Sequence, residues 1–414
     1  MSRIEELIKE KCPNGVEYLE LYKVIKWNKR FSGVNKEWQP EIVSTKSNVS
    51  AQELKSLALD SGDIKLLSTG NFDGYTDSSV YAGNVDDLEV ITIPSGGTAN
   101  IKYYNGQFIN SGNIIGTSAN CDKYYLKYIY YCLLNNNELV QSFFRGSSVQ
   151  HPDMKQIIQI KIPVPPIEIQ EEIVKILDKF GELEAELEAE LEARKSQYEF
   201  WREKLFDNID ESYYRRLDEL FPFIRNGFVG TVTPYFTSEE NGIRYLEGTN
   251  IHNGLISDNE VLYVTKEFHE KHKKNELKSD DILMVQSGHI GECAVVGEKY
   301  KGSNCHALII MSNGGKCLSK FIVHYFQTLK GFVSLTPAIT GGTIKHVLAG
   351  KIGRIKVPCP PLEEQQRIVN ILDKFDKLVN DISEGLPAEI EARRKQYEYY
   401  RNKLLCFEEV EVNE

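Results

Sequence analysis

The sequence lacks long apolar runs, paired cysteines and a secretion signal. No apolar segment approaches the roughly 18 residues that a membrane span needs, and the chain is charged from its third residue onward. Its eight cysteines are scattered without a Cys-x-x-Cys pair, which is typical of reduced thiols in a long intracellular chain. These absences predict a cytoplasmic protein that makes no membrane contact.

Recognisable catalytic and metal-binding patterns are also missing. The sequence has no Gly-x-x-x-x-Gly-Lys-Ser/Thr phosphate loop, no Gly-x-Ser-x-Gly elbow, no His-Glu-x-x-His and no Asn/Asp-Pro-Pro-aromatic tetrapeptide of the amino-methyltransferases. Cys293, Cys305, His306 and Cys317 are too widely spaced for a common zinc site. We therefore expect no catalytic residue and no metal ion in this chain.

The acidic charge is concentrated in two short segments. The 414 residues carry a net charge of -11, but residues 161–211 hold 15 acidic against 7 basic residues, and residues 357–414 hold 13 against 8. Residues 212–356 are basic, with 18 Lys and Arg against 14 Asp and Glu. The overall acidity is therefore a weak objection to nucleic-acid binding by the two longer segments.

What the sequence does contain is an internal repeat. Eighteen residues from Pro163 recur from Pro358, with twelve identities at an offset of 195. Fourteen residues from Glu192 recur from Glu391, with nine identities at an offset of 199. Two matches of this length indicate a tandem duplication.

Each repeated segment is predicted to form a long helical arm. Apolar residues recur at steps of three and four along residues 169–205, and a Pro-Pro pair precedes each predicted helix. In the second arm, Gly385-Leu-Pro387 should kink or restart the helix. Because the offset grows by four residues between the blocks, the arms differ by about one helical turn, or ~6 Å.

Two arrangements are open for these arms. Each arm could pack on its own domain, or the two arms could pair as an antiparallel coiled coil. We favour pairing, since both arms combine a strongly charged back with an apolar stripe, which in the second arm consists of Leu378, Ile382, Leu386 and Ile390.

The segments between the arms are predicted to be diverged copies of one mixed α/β (α+β) domain. Each has a strand followed by a glycine loop, at residues 92–101 and 283–291, then an aromatic helix and a small-residue loop that ends in a histidine. The predicted order is domain 1–162, arm 163–205, domain 206–357, arm 358–407 and acidic tail 408–414. The tandem copies would give the chain pseudo-two-fold symmetry.

The repeated patterns Pro-x-Pro-Pro-(Ile/Leu)-Glu-x-Gln-x-x-Ile-Val-x-Ile-Leu-Asp and Glu-Ala-Arg-x-x-Gln-Tyr-Glu-x-x-Arg-x-Lys-Leu resemble the specificity subunits of type I restriction-modification systems. The resemblance covers the whole chain, in the order target-recognition domain, arm, second target-recognition domain, second arm. The Leu-Glu-Ala-Glu run of the first arm is similar to the four-residue spacer repeats of that family. One departure is that Gly-Leu-Pro occurs only in the second arm.

This resemblance implies a DNA-recognition subunit without catalysis of its own. Each recognition domain would read one half of a split target in double-stranded DNA, and the arms would set the separation and dock two methyltransferase subunits. S-adenosylmethionine, ATP and Mg would then be bound by partner subunits, namely the methyltransferases and the motor-nuclease subunits, and not by this chain.

Candidate DNA-binding residues are polar side chains in the predicted loops, because Arg, Lys, Asn, Gln, Ser, Thr and His read base edges. We select Asn71, Thr98, Asn100, Lys102, Arg145, Ser148 and Gln150 in the first domain, and Asn250, His252, Gln286, Ser287, His289, Thr343 and Lys345 in the second. Lys271, Lys273 and Lys274 are candidates for phosphate contacts. The alternative for each is an ordinary turn, cap or solvated residue, and His151 and His346 are best explained as residues that close their loops.

Three other functions are open. The chain could be a self-sufficient DNA enzyme with a degenerate active site, or a coiled-coil scaffold that binds proteins and never DNA. Within the favoured class, it could serve a combined cut-and-methylate restriction enzyme. The DNA target itself cannot be read from the sequence, because a domain outline contains no base code.

Overall fold

The computed structural model of the chain describes residues 3–342, 345–381 and 384–410. The chain divides into two compact units, the first comprising residues 1–186 and 391–414 and the second residues 187–390. Ile382 of the predicted stripe lies outside the described residues, and so does the end of the acidic tail after residue 410. Across the described ranges, no helix combines the length and the apolar character needed to cross a bilayer.

The elements that precede the first arm mix helices and strands, as predicted. They are α1 (Arg3–Lys11), β1 (Glu17–Glu20), α2 (Leu21–Val24), β2 (Ile25–Trp27), α3 (Ala51–Ser56), β3 (Ile64–Leu67), β4 (Asp73–Thr76), β5 (Asp86–Pro94), β6 (Lys102–Asn110), β7 (Asn113–Ser118), α4 (Leu126–Asn135), α5 (Asn137–Ser142), β8 (Phe144–Arg145), β9 (His151–Pro152), α6 (Met154–Ile157) and β10 (Lys161–Val164). The first arm is a single helix, α7 (Ile167–Asp207).

Six strands of the first unit form one sheet in the order β2-β7-β5-β6-β3-β4, which is antiparallel except for the β3–β6 pair. Successive strand side chains point to opposite faces, so Ile91 and Ile93 of β5 enter the main core while Val90 enters a smaller cluster. The predicted aromatic helix is confirmed as α4, which buries Ile129 and Leu133 in the main core.

The second unit repeats this mixture. Its elements and the second arm are β11 (Tyr214–Arg216), α8 (Leu217–Leu220), β12 (Phe223–Asn226), β13 (Gly242–Leu246), β14 (Ile251–His252), β15 (Leu255–Ile256), β16 (Leu262–Thr265), α9 (Lys266–Lys271), β17 (Ile282–Val285), β18 (Cys293–Val295), β19 (Asn304–Cys305), β20 (Leu308–Ser312), α10 (Ser319–Phe326), α11 (Leu329–Ser334), β21 (Ile339–Thr340), β22 (His346–Val347), α12 (Ala349–Ile352), β23 (Lys356–Pro358), α13 (Leu362–Asn380) and α14 (Leu386–Leu404).

Two sheets, β12-β20-β17-β18 and β16-β13-β19, organise the second unit. All residues of strand β17 are apolar, which suits a strand whose two faces are both buried in hydrophobic clusters. Ile282 and Met284 belong to the cluster that includes the arm helices, whereas Leu283 and Val285 belong to a separate cluster. The uninterrupted apolar run therefore predicts a central strand.

Each domain closes on itself where its arm begins. In the first unit β1 pairs antiparallel with β10, and in the second unit β11 pairs antiparallel with β23. Both pairs join the first strand of a domain to the strand just before its arm. The duplication therefore extends from the arms into the domains.

In each unit, a buried glutamine of the repeated motif stabilises the junction between the domain and its arm. Gln170 Oε1 accepts a hydrogen bond from the backbone N–H of Tyr125, which precedes α4, at 2.8 Å. Gln365 Oε1 accepts one from the N–H of Leu318, which precedes α10, also at 2.8 Å. Each amide group then donates to a carbonyl five residues upstream, at 2.7 and 2.6 Å. The glutamine thus satisfies backbone groups at the start of a domain helix and at the start of an arm.

A repeated aspartate makes a second link between arm and domain. In the first unit Asp178 accepts hydrogen bonds from Lys127 at 2.6 Å and from Tyr131 at 2.5 Å. The two donors lie four residues apart on α4 and therefore on one face of that helix. Burial, followed by the hydrogen bond to this carboxylate, raises the pKa of Tyr131 well above its usual value.

The equivalent residue of the second unit is Asp373, which accepts hydrogen bonds from Lys320 at 2.8 Å and from His324 at 3.1 Å. Burial favours the protonated form of Asp373, but hydrogen bonds from His324 and Lys320 outweigh it, so that the pKa of Asp373 lies below its usual value. The second link is therefore an ion pair, and it weakens when the carboxylate takes up a proton.

The predicted antiparallel pairing of the arms is confirmed, and each unit contains part of both arms. In the first unit Phe180 stacks on Tyr400 with ring centroids 5.4 Å apart and contacts Tyr397 at 6.3 Å. In the second unit Phe375 stacks on Tyr198 at 6.0 Å. Phe180 and Phe375 are repeat equivalents, as are Tyr397 and Tyr198. The first block of each arm thus contacts the second block of the other.

Charged residues show the direction of pairing in the first unit. Glu184, one turn after Phe180, accepts a hydrogen bond from Arg394 at 2.6 Å, and Arg394 precedes Tyr397. Residue numbers therefore rise along one helix as they fall along the other.

The second arm restarts at the predicted position. Helix α13 ends at Asn380 and α14 begins at Leu386, so the four additional residues of this arm fall where its helix is interrupted. The Gly385 N–H donates to the carbonyl of Asp381 at 2.9 Å. The longer offset in the second arm therefore accompanies an interruption and not a simple extension by one turn.

Candidate nucleic-acid interface

Three loops of the first unit meet in what we call the first loop surface, residues 68–72, 95–101 and 145–151. The Gly97 N–H donates to the carbonyl of Gln150 at 2.8 Å, and His151 Nδ1 lies 2.6 Å from the Ser95 carbonyl oxygen. Gln141 bridges the same two loops, because it accepts from the Ala99 N–H at 2.7 Å and donates to the Gln150 side chain at 3.1 Å. The structure therefore brings the predicted residues of the first domain together.

Two of these residues hold the third loop in place. Asn100 donates to the Gly70 carbonyl at 2.8 Å. Lys102 Nζ donates to the carbonyls of Ser68 and Gly70 at 3.0 and 2.7 Å, and burial lowers its pKa. Through these hydrogen bonds, the ammonium group of Lys102 stabilises the conformation of the loop that carries Asn71.

The other predicted residues of this surface face solvent. Asn71, Thr98, Arg145, Ser148 and Gln150 are all exposed. Arg145 lies opposite His151 in the β8–β9 hairpin. Its exposed side chain therefore places a positive charge at the edge of that hairpin.

Sequence reasoning missed an aromatic residue beside these loops. Tyr75 of β4 is 39% exposed, and Lys65 Nζ lies 4.3 Å from its ring centroid. Asn71 and Lys65 both line an adjacent cavity of about 420 Å³. Alternation along β4 is the signal for Tyr75, since it follows a half-buried glycine and precedes the buried Thr76.

The second unit has an equivalent second loop surface, formed by residues 251–256, 286–289 and 345–347. The Val347 N–H donates to the carbonyl of Gln286 at 2.9 Å, and Ser287 forms a β-bridge with His346. The rings of His252 and His289 are 5.9 Å apart. The loop after a central strand therefore contacts the histidine hairpin in both units. His151 and His346 both close their loops through these contacts, as expected.

The predicted residues of the second domain differ in their exposure. His252, Ser287, His289 and Lys345 are exposed and Gln286 is half-buried. Asn250 is only 1% exposed. Its side-chain amide donates to the Asn259 carbonyl at 2.6 Å and accepts from the Glu247 N–H at 2.9 Å. It stabilises a turn beneath the surface and does not lie on it. Thr343 lies outside the described residues.

The three candidate phosphate-binding lysines lie at the last residue of α9 and in the short turn that follows it. Lys271 and Lys274 are exposed, while Lys273 pairs with Glu270 at 2.7 Å. They sit on different elements from the second loop surface, and Lys273 is already paired with a carboxylate three residues before it.

The cysteines considered as metal ligands are dispersed. Cys293 and Cys317 lie in the cluster that contains the arm helices, and Cys305 lies in a separate one. Over residues 3–342, 345–381 and 384–410, no group of three His, Cys, Asp or Glu side chains could hold a metal ion.

Two related mixed domains, each with a polar loop surface and each joined to a helical arm, define a duplicated recognition protein. The description "type I restriction modification DNA specificity domain" belongs to a family model that matches residues 43–193 and 210–392. This chain therefore belongs to the DNA specificity family of type I restriction-modification systems, whose role is recognition of the DNA sequence.

Individual relatives match over nearly the full chain. A putative type I restriction enzyme specificity subunit of Haemophilus influenzae is 31% identical over 396 residues, which cover 92% of this chain and 97% of that protein. A type I restriction enzyme specificity subunit of Escherichia coli is 32% identical over 407 residues, which cover 93% and 97%.

The fold is shared with a solved relative. The crystal structure of a type I restriction-modification S subunit from M. genitalium superposes with a TM-score of 0.56 at 15% identity, and the match covers 96% of this chain and 98% of that one.

Proposed function

We propose that the two loop surfaces each read one half of a split target in double-stranded DNA, and that the paired arms set the gap between the halves. The contact that recurs in both units, between the loop after a central strand and the histidine hairpin, carries this proposal. A duplicated scaffold that presents equivalent surfaces suits a target of two half-sites, just as a two-fold protein dimer suits a palindrome.

The residues that read bases are the exposed ones of the two surfaces. Arg145 can read guanine through its fork of N–H donors, and the exposed histidines and amides offer donors and acceptors to other base edges. Lys102 and Asn250 act indirectly, because their hydrogen bonds hold the recognition loops.

The arms dock two methyltransferase subunits at equivalent places. Phe200 and Tyr399 occupy the same repeat position and are 57% and 62% exposed. A large exposed aromatic side chain that recurs in both arms suits two copies of one protein partner. The acidic arms are also poor ligands for phosphate, which favours protein over DNA as their partner.

This chain would perform no catalysis itself. S-adenosylmethionine would be bound by the methyltransferase subunits, and ATP and Mg by the motor-nuclease subunits of the complex. A scaffold without DNA contact, a degenerate enzyme and a subunit of a combined cut-and-methylate enzyme each predict a different outcome in the experiments below.

The main experiment maps methylated adenines across the genome of cells that express this chain with its methyltransferase subunit. The wild-type chain should methylate one split motif, and deletion of its gene alone should abolish that methylation. Arg145→Ala with Ser148→Ala should relax one half-site, and His289→Ala with Lys345→Ala the other. Each pair of substitutions is the control for the other half.

A second experiment deletes one Leu-Glu-Ala-Glu unit, residues 187–190. Four helical residues correspond to ~6 Å and a base pair to ~3.4 Å, so the gap should narrow by one or two base pairs while both half-sites persist. An unchanged motif after deletion of the gene would favour the scaffold. Methylation or cleavage by the isolated chain would favour the enzyme, and a methyltransferase fused to its nuclease would favour the combined system.

A further inference from the structure

Two cysteine thiols meet at the junction of the second unit, next to the buried Gln365. Cys317 lies just before α10 and Cys359 just after β23. Cys359 Sγ is 3.6 Å from the carbonyl oxygen of Lys316, the peptide group that leads into Cys317. Gln365 Nε2 donates to the same sulfur at 3.7 Å, and Cys317 Sγ donates to the carbonyl oxygen of Leu318 at 3.8 Å.

The two thiols have different environments. The Cys317 thiol lowers the pKa of Cys359 to about 7; burial opposes this effect, and the positive charges of Arg215 and Lys316 assist it. Cys317 is 2% exposed, and the Cys359 thiol, followed by burial, raises its pKa. Cys359 is only half-buried, so a small oxidant reaches it more easily than Cys317. Because thiolates are the nucleophiles, Cys359 is the thiol that reacts first and Cys317 the one that stays protonated.

Other buried cysteines are inert by comparison. Cys132 and Cys305 are fully buried, and burial raises the pKa of each to about 12. The first unit also has no such pair, because Tyr124 and Val164 stand at the equivalent positions. The pair is therefore specific to one of the two otherwise similar junctions.

We propose that Cys317 and Cys359 form a redox modification site, at which a hydroperoxide converts the two thiols into a disulfide. The Cys359 thiolate attacks hydrogen peroxide, takes one oxygen to become a sulfenic acid and releases hydroxide. The Cys317 sulfur then displaces water from the sulfenic acid, with its thiol proton leaving in that water. Two electrons pass in total from the thiols to the peroxide.

The disulfide would tie the start of the second arm to the segment that leads into α10. Gln365 holds the same junction by hydrogen bonds, so the covalent link would reinforce an existing contact. A cross-link between residues 317 and 359 also restricts the unfolded chain, which raises the stability of the folded state. Oxidation would therefore stiffen the attachment of one recognition domain and leave the other unchanged.

The test treats the reduced full-length chain with a small excess of hydrogen peroxide at pH 7, blocks the remaining thiols with N-ethylmaleimide and maps the peptides by mass spectrometry without reductant. The Cys317–Cys359 linked peptide should form before the exposed Cys121 and Cys406 are modified. Melting of the second unit should rise by about 5 °C or more and return on reduction.

Two variants separate the site from general oxidation. Cys317→Ser should leave Cys359 as a sulfenic acid that dimedone traps, with no cross-link, whereas Cys121→Ser should leave the cross-link intact. Oxidation of Cys121 and Cys406 with Cys359 unmodified would overturn the proposal. A linked peptide in a chain that melts at an unchanged temperature would overturn the proposed stiffening. Neither result depends on the DNA target.

Discussion

At the scale of single residues, the hydrogen bonds of Gln170 and Gln365 explain why the repeated motif contains a glutamine. Both are at most 1% exposed, and each uses its oxygen and its amide nitrogen on backbone groups of two different segments. A buried amide that satisfies such groups is costly to replace by an apolar residue of similar size. The motif therefore encodes the attachment of a domain to its arm.

Gln365→Leu should lower the free energy of unfolding by about 2–4 kcal/mol, because the Leu318 N–H and the Pro360 carbonyl would remain buried without a partner. Denaturant unfolding of the full chain measures this loss. Gln366→Leu is the matched control, since Gln366 is exposed and its side-chain amide donates to the exposed Asn370 side chain. Equal losses of unfolding free energy in the two variants would show that the hydrogen bonds of Gln365 do not stabilise the junction.

Asp373 makes the second junction sensitive to acid. Its pKa lies below the usual value of ~3.9, despite the opposing effect of burial, because His324 and Lys320 donate to it. A carboxyl group whose pKa is depressed by folding stabilises the fold above its unfolded pKa, and this contribution is lost as the pH falls through the folded pKa.

The wild-type chain should therefore lose stability below about pH 4 more steeply than the Asp373→Asn variant. The melting temperature measured between pH 3 and pH 7 checks this. Asp376→Asn, in the same helix, is the control and should retain the wild-type slope. Parallel curves for Asp373→Asn and the wild type would show that the ion pair has no part in acid stability.

The arms differ at the scale of whole elements. The first arm is one uninterrupted helix of 41 residues, whereas the second is interrupted between α13 and α14. Gly181 lies in the first arm and Gly385 in the second, and the two residues differ in the space available for a side chain. A Cβ at Gly181 would meet nothing within 4 Å, whereas one at Gly385 would lie 2.6 Å from the carbonyl oxygen of Lys377.

Alanine at these two positions should thus have effects of opposite sign. Gly181→Ala should stabilise the chain by about 0.5–1 kcal/mol, since alanine favours the helix interior. Gly385→Ala should destabilise it by about 1–3 kcal/mol, because rigid backbone atoms must move. Thermal unfolding of both variants beside the wild type tests this, and stabilisation by Gly385→Ala would show that the interruption is not required.

At the scale of the whole molecule, the first unit is closed by two distant parts of the chain. The Val16 N–H donates to the Glu408 carbonyl at 2.8 Å, and the Val410 N–H donates to the Val16 carbonyl at 3.1 Å. Tyr18 also donates to the carbonyl of Phe407 at 2.9 Å. Residues 407–410 thereby border β1, which pairs with β10 before the first arm.

Removal of the residues after Cys406 should loosen the first unit and spare the second. Hydrogen exchange measured peptide by peptide should accelerate in β1 and β10 by roughly tenfold or more, since three hydrogen bonds of ~1 kcal/mol each are lost. The equivalent strands β11 and β23 are the internal control and should exchange as in the full chain. Equal acceleration in both pairs would indicate general destabilisation.

The amino-acid sequence alone determined the duplication, the helical arms, the restart near Gly385 and the mixed character of the two domains. Repeats and apolar periodicity are local properties, so they can be read without knowing which segments meet. The same local reasoning selected the exposed Arg145, which the structure places in β8, and the exposed His289, which lies in a loop. It could not separate them from Asn250, whose amide is buried, or from Lys102, which is occupied by loop carbonyls.

Only the tertiary structure decided which parts of the two repeats pack together. Phe180 contacts Tyr397 and Phe375 contacts Tyr198, so each unit is completed by the second block of the other arm. Periodicity shows that a helix has an apolar face, but many partners can cover such a face equally well. The choice between them depends on packing between residues about 180 to 220 positions apart.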